Sequence, residues 1–151
     1  MKSCISLFLL TLTLAASSTL TAHASACSNS TIRGTYAFTI HGTVFLPDGS
    51  TLLITGLSKT TFDGAGNITQ LDAVSDNGNV PPGWRRSTGT YSVNPDCTGT
   101  STVSNSPQPP VHLQIIVAQS GNTIHEMAID PGFATTAEGE RVRAPEKSPE
   151  E

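Results

Sequence analysis

Several kinds of residue and motif are scarce in this chain, and each scarcity argues against a class of function. Lys and Arg number eight against twelve Asp and Glu, without a basic stripe, which argues against nucleic-acid partners. No H-E-x-x-H, H-x-H or paired-cysteine motif occurs, so we expect no metal site and no cofactor. No Ser lies in a G-x-S-x-G elbow. The sequence therefore offers no catalytic residue by motif.

Helical patterning is also missing. No stretch of the chain keeps apolar residues at positions i, i+3, i+4 and i+7 over three turns. Thr, Val, Ile and aromatic residues instead alternate between clusters of Gly, Asn, Asp and Pro, which is typical of strands and turns. Tyr36, Phe38 and Ile40 share one strand face in this alternation. The composition therefore predicts an all-β protein.

The first 26 residues read as a secretion signal. Lys2 precedes an apolar segment over residues 5–16, which is too short for the roughly 20 residues of a membrane-spanning helix. Small residues then offer two cleavage sites, after Ala24 and after Ala26, the second of which would start the mature chain at Cys27. This predicts a secreted or periplasmic protein. A lipoprotein anchored through Cys27 is the alternative, although Ala24 stands where lipoprotein signals usually carry Leu.

Two cysteines remain after the signal is removed, because Cys4 leaves with it. In an oxidising compartment, a disulfide between Cys27 and Cys97 is the default for such a pair. The chain-entropy model gives about 4 kcal/mol for a loop of this length. Two free thiols are the alternative, and a zinc site is disfavoured because the cysteines are isolated.

Turn residues divide the chain at even intervals, and seven such connections imply eight strands. We therefore expect one domain over residues 27–143, followed by a disordered tail over residues 144–151 in which charges and Pro take over. The predicted strands lie near residues 34–46, 50–62, 67–75, 84–93, 98–105, 111–119, 123–130 and 133–142.

Eight strands joined mostly by short hairpins form an antiparallel meander, whose two edges must be covered. Closure into a barrel removes both edges, so we predict a single eight-stranded up-and-down barrel. Such a barrel encloses an interior that side chains fill or that holds one small ligand. A two-sheet β-sandwich is the alternative architecture.

Three segments of the chain, residues 27–38, 62–69 and 89–100, carry a resemblance. They contain the two cysteines, the strand opening Gly34-Thr35-Tyr36 and the turn sequences Asp63-Gly64-Ala65-Gly66-Asn67 and Asn94-Pro95-Asp96. Together they resemble a family of small secreted bacterial proteins of unknown function. The resemblance implies an architecture similar to the allene oxide cyclase and lipocalin-like barrels, and it implies export. It implies no activity.

The candidate ligand-binding residues are aromatic, with one histidine. Trp84 ends a long loop and would guard the mouth of the barrel or stack on a ligand. Inside the barrel, the stripe formed by Tyr36, Phe38 and Tyr91 is the expected lining of a ligand site. The fifth candidate, His125, completes the set.

His125 shares its predicted strand face with Met127 and Ile129, so it can point into the barrel. There a neighbouring Glu126 or Asp72 would make its imidazole a base or a ligand-binding group. A histidine that is merely hydrogen-bonded at the rim is the plainer interpretation, and the sequence leaves both open.

Two functions fit these expectations. The first is a secreted, non-enzymatic barrel that binds a small apolar ligand or acts at the cell surface, which predicts an apolar interior with few ionisable groups. The second is a cyclase- or isomerase-like enzyme whose cavity holds a reactive substrate in one conformation. Such catalysis needs little acid–base machinery, so the missing motifs do not exclude it. We favour the first.

Overall fold

Inward and outward side chains alternate along eight strands, and these strands close into a barrel. The computed structural model describes residues 26–143; the predicted disordered tail and, apart from Ala26, the predicted signal peptide lie outside them. Each strand pairs antiparallel with the next and β1 pairs with β8, which confirms the up-and-down barrel rather than the sandwich. The strands are β1 Gly34–Phe45, β2 Thr51–Phe62, β3 Asn67–Asp76, β4 Arg85–Val93, β5 Thr98–Ser104, β6 Val111–Ala118, β7 Thr123–Ala128 and β8 Phe133–Arg141.

Turn chemistry explains why the strands end where the sequence predicts, within two residues at every end. The Asp63 carboxylate accepts hydrogen bonds from the backbone N–H of Ala65 and Asn67, which holds the β2–β3 turn. Asp96 accepts in the same way from the backbone N–H of Thr98 in the β4–β5 turn. These Asp side chains accept hydrogen bonds from backbone N–H groups of the turn, which have no partner in the strand ladder.

One end of the barrel, which we call the closed end, is sealed by the segment 26–33. This segment contains the 3-10 turn Asn29–Ile32, and Ile32 has no exposed surface. Cys27 forms a disulfide with Cys97 in the β4–β5 turn, with the two Cα atoms 5.0 Å apart. The backbone N–H of Cys27 also donates to the Pro95 carbonyl at 3.1 Å. The predicted cysteine pairing therefore ties the start of the domain to its middle.

Aromatic side chains fill the barrel directly above this seal. The ring of Phe62 packs edge-to-face against Tyr36 and Tyr91, with centroid distances of 5.5 and 4.9 Å. The Phe38 ring lies beside the rings of Tyr36 and Phe62. The arrangement of ring edges against ring faces is the favourable one for aromatic quadrupoles. These four rings form the core of the closed end.

The polar atoms of the closed end are tied to the sealing segment. Arg141, at the end of β8, donates to the carbonyls of Thr31, Arg33 and Gly121, and its guanidinium lies 4.8 Å from the centre of the Tyr36 ring. The first and last parts of the domain are therefore joined at this end.

The opposite end, which we call the mouth, is formed by the loops 46–50, 77–84, 105–110 and 129–132. Inward-facing side chains near it are only half-buried, so water reaches them from this side. They are mostly aliphatic: Val44, Leu52, Ile54, Val74, Val103, Val111 and Leu113. Large apolar side chains are exposed on or beside the loops, notably Phe45, Leu53, Val80, Trp84, Ile129 and Phe133.

Candidate functional site

A buried carboxylate organises one side of the barrel interior. Asp72 on β3 is 5 % exposed, and its Oδ1 accepts a hydrogen bond from Arg85 Nε at 2.7 Å. Its Oδ2 accepts from Gln70 Nε2 at 3.1 Å and from Ser87 Oγ at 3.2 Å. The strand register produces this cluster, because Asp72 pairs with Arg85 and Gln70 pairs with Ser87 across β3 and β4.

The same cluster continues onto β2. The Thr60 hydroxyl donates to Gln70 Oε1 at 2.9 Å, and Ser58 Oγ lies 3.2 Å from Thr60 Oγ1. We call the six residues the polar wall: Ser58, Thr60, Gln70, Asp72, Arg85 and Ser87. Since charge-assisted hydrogen bonds are the strong ones, the Asp72–Arg85 pair holds the wall in one geometry. The two opposite charges also neutralise each other inside the barrel.

A second inward-facing carboxyl group lies on β7. Ile124 and Ala128 are buried, and Glu126 lies between them on the same inward face. Within residues 26–143, no hydrogen bond or ion pair to the Glu126 carboxyl is found, and burial raises its pKa from 4.5 to about 7. Desolvation disfavours the charged form of such a group, which is why the pKa rises.

Glu126 and the polar wall stand on opposite sides of the barrel. In a closed ring of eight strands, β3 and β7 are four strands apart in both directions. The register pairs Glu126 with Ala137 on β8, so the cross-strand neighbour of the carboxyl group is a small side chain. We call the space between the polar wall and Glu126 the chamber. The aromatic core forms its floor, and the mouth lies above it.

One more polar atom lies in this region without a protein partner. Ser101 on β5 is 3 % exposed, and its buried Oγ makes no hydrogen bond within the described part of the chain. Buried hydroxyl groups are normally paired, so each exception calls for an explanation. Ser101 therefore has unused hydrogen-bonding capacity inside the barrel, between Tyr91 and Leu113 on the neighbouring strands.

The aromatic ligand candidates do not come together as one site. Tyr36, Phe38 and Tyr91 belong to the closed-end core, where they pack against Phe62 and one another. The Tyr91 hydroxyl accepts from the Gly64 N–H, so its polar atom serves the β2–β3 turn. Trp84 lies at the mouth, 60 % exposed. The predicted stripe therefore forms the floor of the chamber, and Trp84 lies at the opposite end.

The expectation that His125 points inward is wrong. His125 and Met127 are exposed on the outer face of β7, and the His125 Nδ1 lies 3.8 Å from Glu138 Oε2. Apolar residues occur on both faces of this strand, so hydrophobicity alone did not distinguish them. Ile124 is fully buried and determines the orientation, which turns Glu126 inward instead.

The interior, predicted to be apolar with few ionisable groups, does contain ionisable groups. Asp72, Arg85 and Glu126 all face inward, among apolar neighbours. The only sequence signal for the first of these is the alternation Ile68, Gln70, Asp72 along β3, which mixes apolar and polar residues on one face. Sequence reasoning therefore missed the polar wall as a unit.

A concavity of about 760 Å³ lies across β5 to β8 and β1. Its lining includes the outward-facing His41, Gln114 and His125 and also Glu126 and Ala137. Over residues 26–143, no three His, Cys, Asp or Glu side chains are grouped as a metal site would require. No helix in the same range is long and apolar enough to cross a membrane.

Comparison with known proteins identifies no relative: no family model, curated protein or solved structure matches this chain. The chamber is therefore interpreted from its own residues.

Proposed function

We propose that this protein is a secreted, non-enzymatic barrel that binds a small amphipathic molecule in the chamber. The polar part of the ligand lies between Glu126 and the polar wall, and its apolar part extends toward the mouth. This proposal keeps the small-ligand role predicted from the sequence and changes the ligand from apolar to amphipathic. The change follows from the ionisable residues inside the barrel.

The observation that carries the proposal is the half-buried Glu126 carboxyl group, which has no partner in the described chain and stands across the barrel from the hydrogen-bonded polar wall. A desolvated carboxyl without a partner lowers stability, and a protein keeps such groups mainly where they are used. Concave sites that combine apolar lining with a few convergent polar groups are the usual form of small-molecule sites. The chamber has both features.

The aliphatic surroundings support the apolar half of the ligand. Leu113, Val111 and Val103 face inward on neighbouring strands β5 and β6, and all three are half-buried. Covering them with a hydrocarbon chain would remove apolar surface from water, which contributes about 25 cal/mol per Å². The ligand's tail therefore has a lining to contact on the way to the mouth.

We also propose that the protein works outside the cytoplasm. The disulfide between Cys27 and Cys97 supports this, because such bonds persist in oxidising compartments. The bond also argues against the lipoprotein alternative, since an acylated Cys27 thioether has no thiol left to pair with Cys97.

A cyclase- or isomerase-like enzyme is the second candidate, and one observation favours it. A carboxyl group with a pKa near 7 is suited to general acid–base catalysis at neutral pH, and burial gives Glu126 such a value. In that case Glu126→Gln would abolish turnover of a bound molecule while the molecule still bound. Under the first proposal, no chemical change accompanies binding.

Native mass spectrometry of the exported protein tests the proposal. We expect the wild-type protein to carry a small molecule from its own host, and an Ala137→Leu variant to lose it because the larger side chain fills the space beside Glu126. Thr136→Leu is the matched control, since Thr136 faces outward on the same strand and the ligand should remain. A bare mass in all three proteins, or equal retention in all three, would contradict binding in the chamber.

A further inference from the structure

We propose that the ligand's polar group is a cation of the alkylammonium type, bound by Glu126. This inference rests on the proposed function and specifies the chemical class of the molecule. Its basis is the balance of charged groups inside the barrel.

Charges inside the barrel do not cancel. Above the aromatic floor, the inward-facing ionisable groups of the described chain are Asp72, Arg85 and Glu126. Asp72 and Arg85 form an ion pair at 2.7 Å, so their charges compensate each other. Asp76 ends β3 on the same face but is exposed to water at the mouth. Glu126 remains as the half-buried acidic group without a counter-charge in the described chain. A ligand with one positive charge would neutralise the charge of Glu126.

The other ionisable groups near β7 are directed elsewhere. On the neighbouring strands β6 and β8, His112, Glu138 and Glu140 are exposed on the outer wall, as are His125 on β7 itself and His41 on β1. At the closed end, Arg141 is held by three backbone carbonyls and by the Tyr36 ring. None of these side chains faces Glu126 as its counter-charge.

A cationic ligand fits this environment better than an anionic one. A buried carboxylate is stabilised by an opposite charge within hydrogen-bonding distance, and it repels a like charge. The Arg85 Nε is bound to Asp72, so the positive charge on that wall is already balanced, and a ligand carboxylate would meet the unbalanced charge of Glu126. An ammonium group has three donors and no acceptor, so it can donate to the Glu126 carboxylate.

Binding of an ammonium group would move one proton. Burial raises the pKa of the empty Glu126 to about 7, so at pH 7 about half of the protein carries the neutral acid. The ammonium ion binds the carboxylate form, and the proton of Glu126 goes to solvent while the ligand keeps its own. Below pH 7 the proton opposes binding, and affinity falls about tenfold for each pH unit once the acid is mostly protonated.

Isothermal titration calorimetry with three probes of equal chain length tests this inference: n-octylamine as its ammonium ion, n-octanol and n-octanoate. We expect the ammonium to bind at least about tenfold more tightly than either other probe at pH 8, the factor for one favourable ion pair. Repeating the titration at pH 6, where Glu126 is mostly protonated, in two buffers of different ionisation enthalpy should show release of about one proton. Its affinity should fall about tenfold between pH 6 and pH 5.

Substitutions identify the group responsible. Glu126→Gln should remove the preference for the ammonium, the proton release and the pH dependence together, whereas Glu126→Asp should keep the preference. Glu138→Gln is the matched control, because this carboxylate faces outward on the adjacent strand and its loss should change nothing. Circular dichroism confirms that each variant is folded.

The outcomes separate the two proposals. If octanol or octanoate binds as tightly as octylammonium without proton release, the cationic class is wrong and the binding chamber stands. If none of the three probes binds the wild-type protein, the chamber does not bind amphipathic molecules and the proposed function fails as well.

Discussion

The two ends of this barrel differ in packing and in polarity, although the same eight strands form both. At the closed end, apolar side chains such as Ile32 and Ile124 are fully buried, and the Tyr91 hydroxyl bonds to backbone atoms of neighbouring segments. Toward the mouth, inward-facing side chains are half-buried, and Glu126 has no partner within the described chain. One end is fully packed and the other carries unused polar groups.

This difference shows how a small domain can keep a destabilising site. Folded domains are stable by only about 5–15 kcal/mol, so a buried carboxyl without a partner uses a large share of that margin. The disulfide and the aromatic core supply stability at a distance from the chamber. The following predictions measure each side of this comparison.

Removing the disulfide should have the largest effect. The double variant Cys27→Ser/Cys97→Ser releases the sealing segment, and we expect the free energy of unfolding to fall by about 4 kcal/mol. Denaturant titration of the wild-type and variant proteins measures this change. Changing both cysteines avoids a free thiol. A decrease below about 1 kcal/mol would show that the closed end does not depend on this bond.

Two substitutions on β6 compare the ends directly. Ile115 is 2 % exposed above the seal, and Leu113, two residues away on the same face, is half-buried in the chamber. We expect Ile115→Ala to lower the free energy of unfolding by about 3 kcal/mol and Leu113→Ala by about half of that, since a site open to water leaves a smaller cavity. Equal losses in thermal or denaturant unfolding would remove the distinction between the two ends.

A smaller effect, of the opposite sign, is expected at Glu126. Burial raises its folded-state pKa to about 7 from the ordinary 4.5, so the folded protein holds a proton that the unfolded chain loses between these values. Wild-type stability therefore falls as pH rises from 4.5 to 7. Glu126→Gln should be more stable than wild type by about 2 kcal/mol at pH 8 and equally stable at pH 4.

Glu138→Gln serves as the control for this measurement, because Glu138 is exposed on the outer wall of the adjacent strand. Its unfolding curve should follow that of the wild-type protein at both pH values. If Glu126→Gln were no more stable than wild type at pH 8, the Glu126 carboxyl group would not be desolvated in the folded protein.

Much of the fold was predictable because its signals are local. Three turns carry an Asp, namely Asp48, Asp63 and Asp96, whose side chain bonds the turn backbone, and these residues mark strand ends. Barrel closure followed from the number of strands and the need to cover edges. The Cys27–Cys97 pair followed from counting cysteines after the signal.

The site was less predictable because it depends on which face of each strand turns inward. β7 has apolar residues on both faces, so a shift of one position exchanged His125 for Glu126. The polar wall depends on the register of three strands, which places Ser58 beside Asp72 and Asp72 beside Arg85. A single sequence contains no signal for that alignment.

The sealing segment also determines how the molecule can be handled. The described chain enters the barrel through Cys27 and leaves it through Arg141, both at the closed end, while all four mouth loops lie at the other. A tag or surface attachment placed directly before Cys27 or after Arg143 would therefore join the barrel at the closed end and leave the mouth facing the solution.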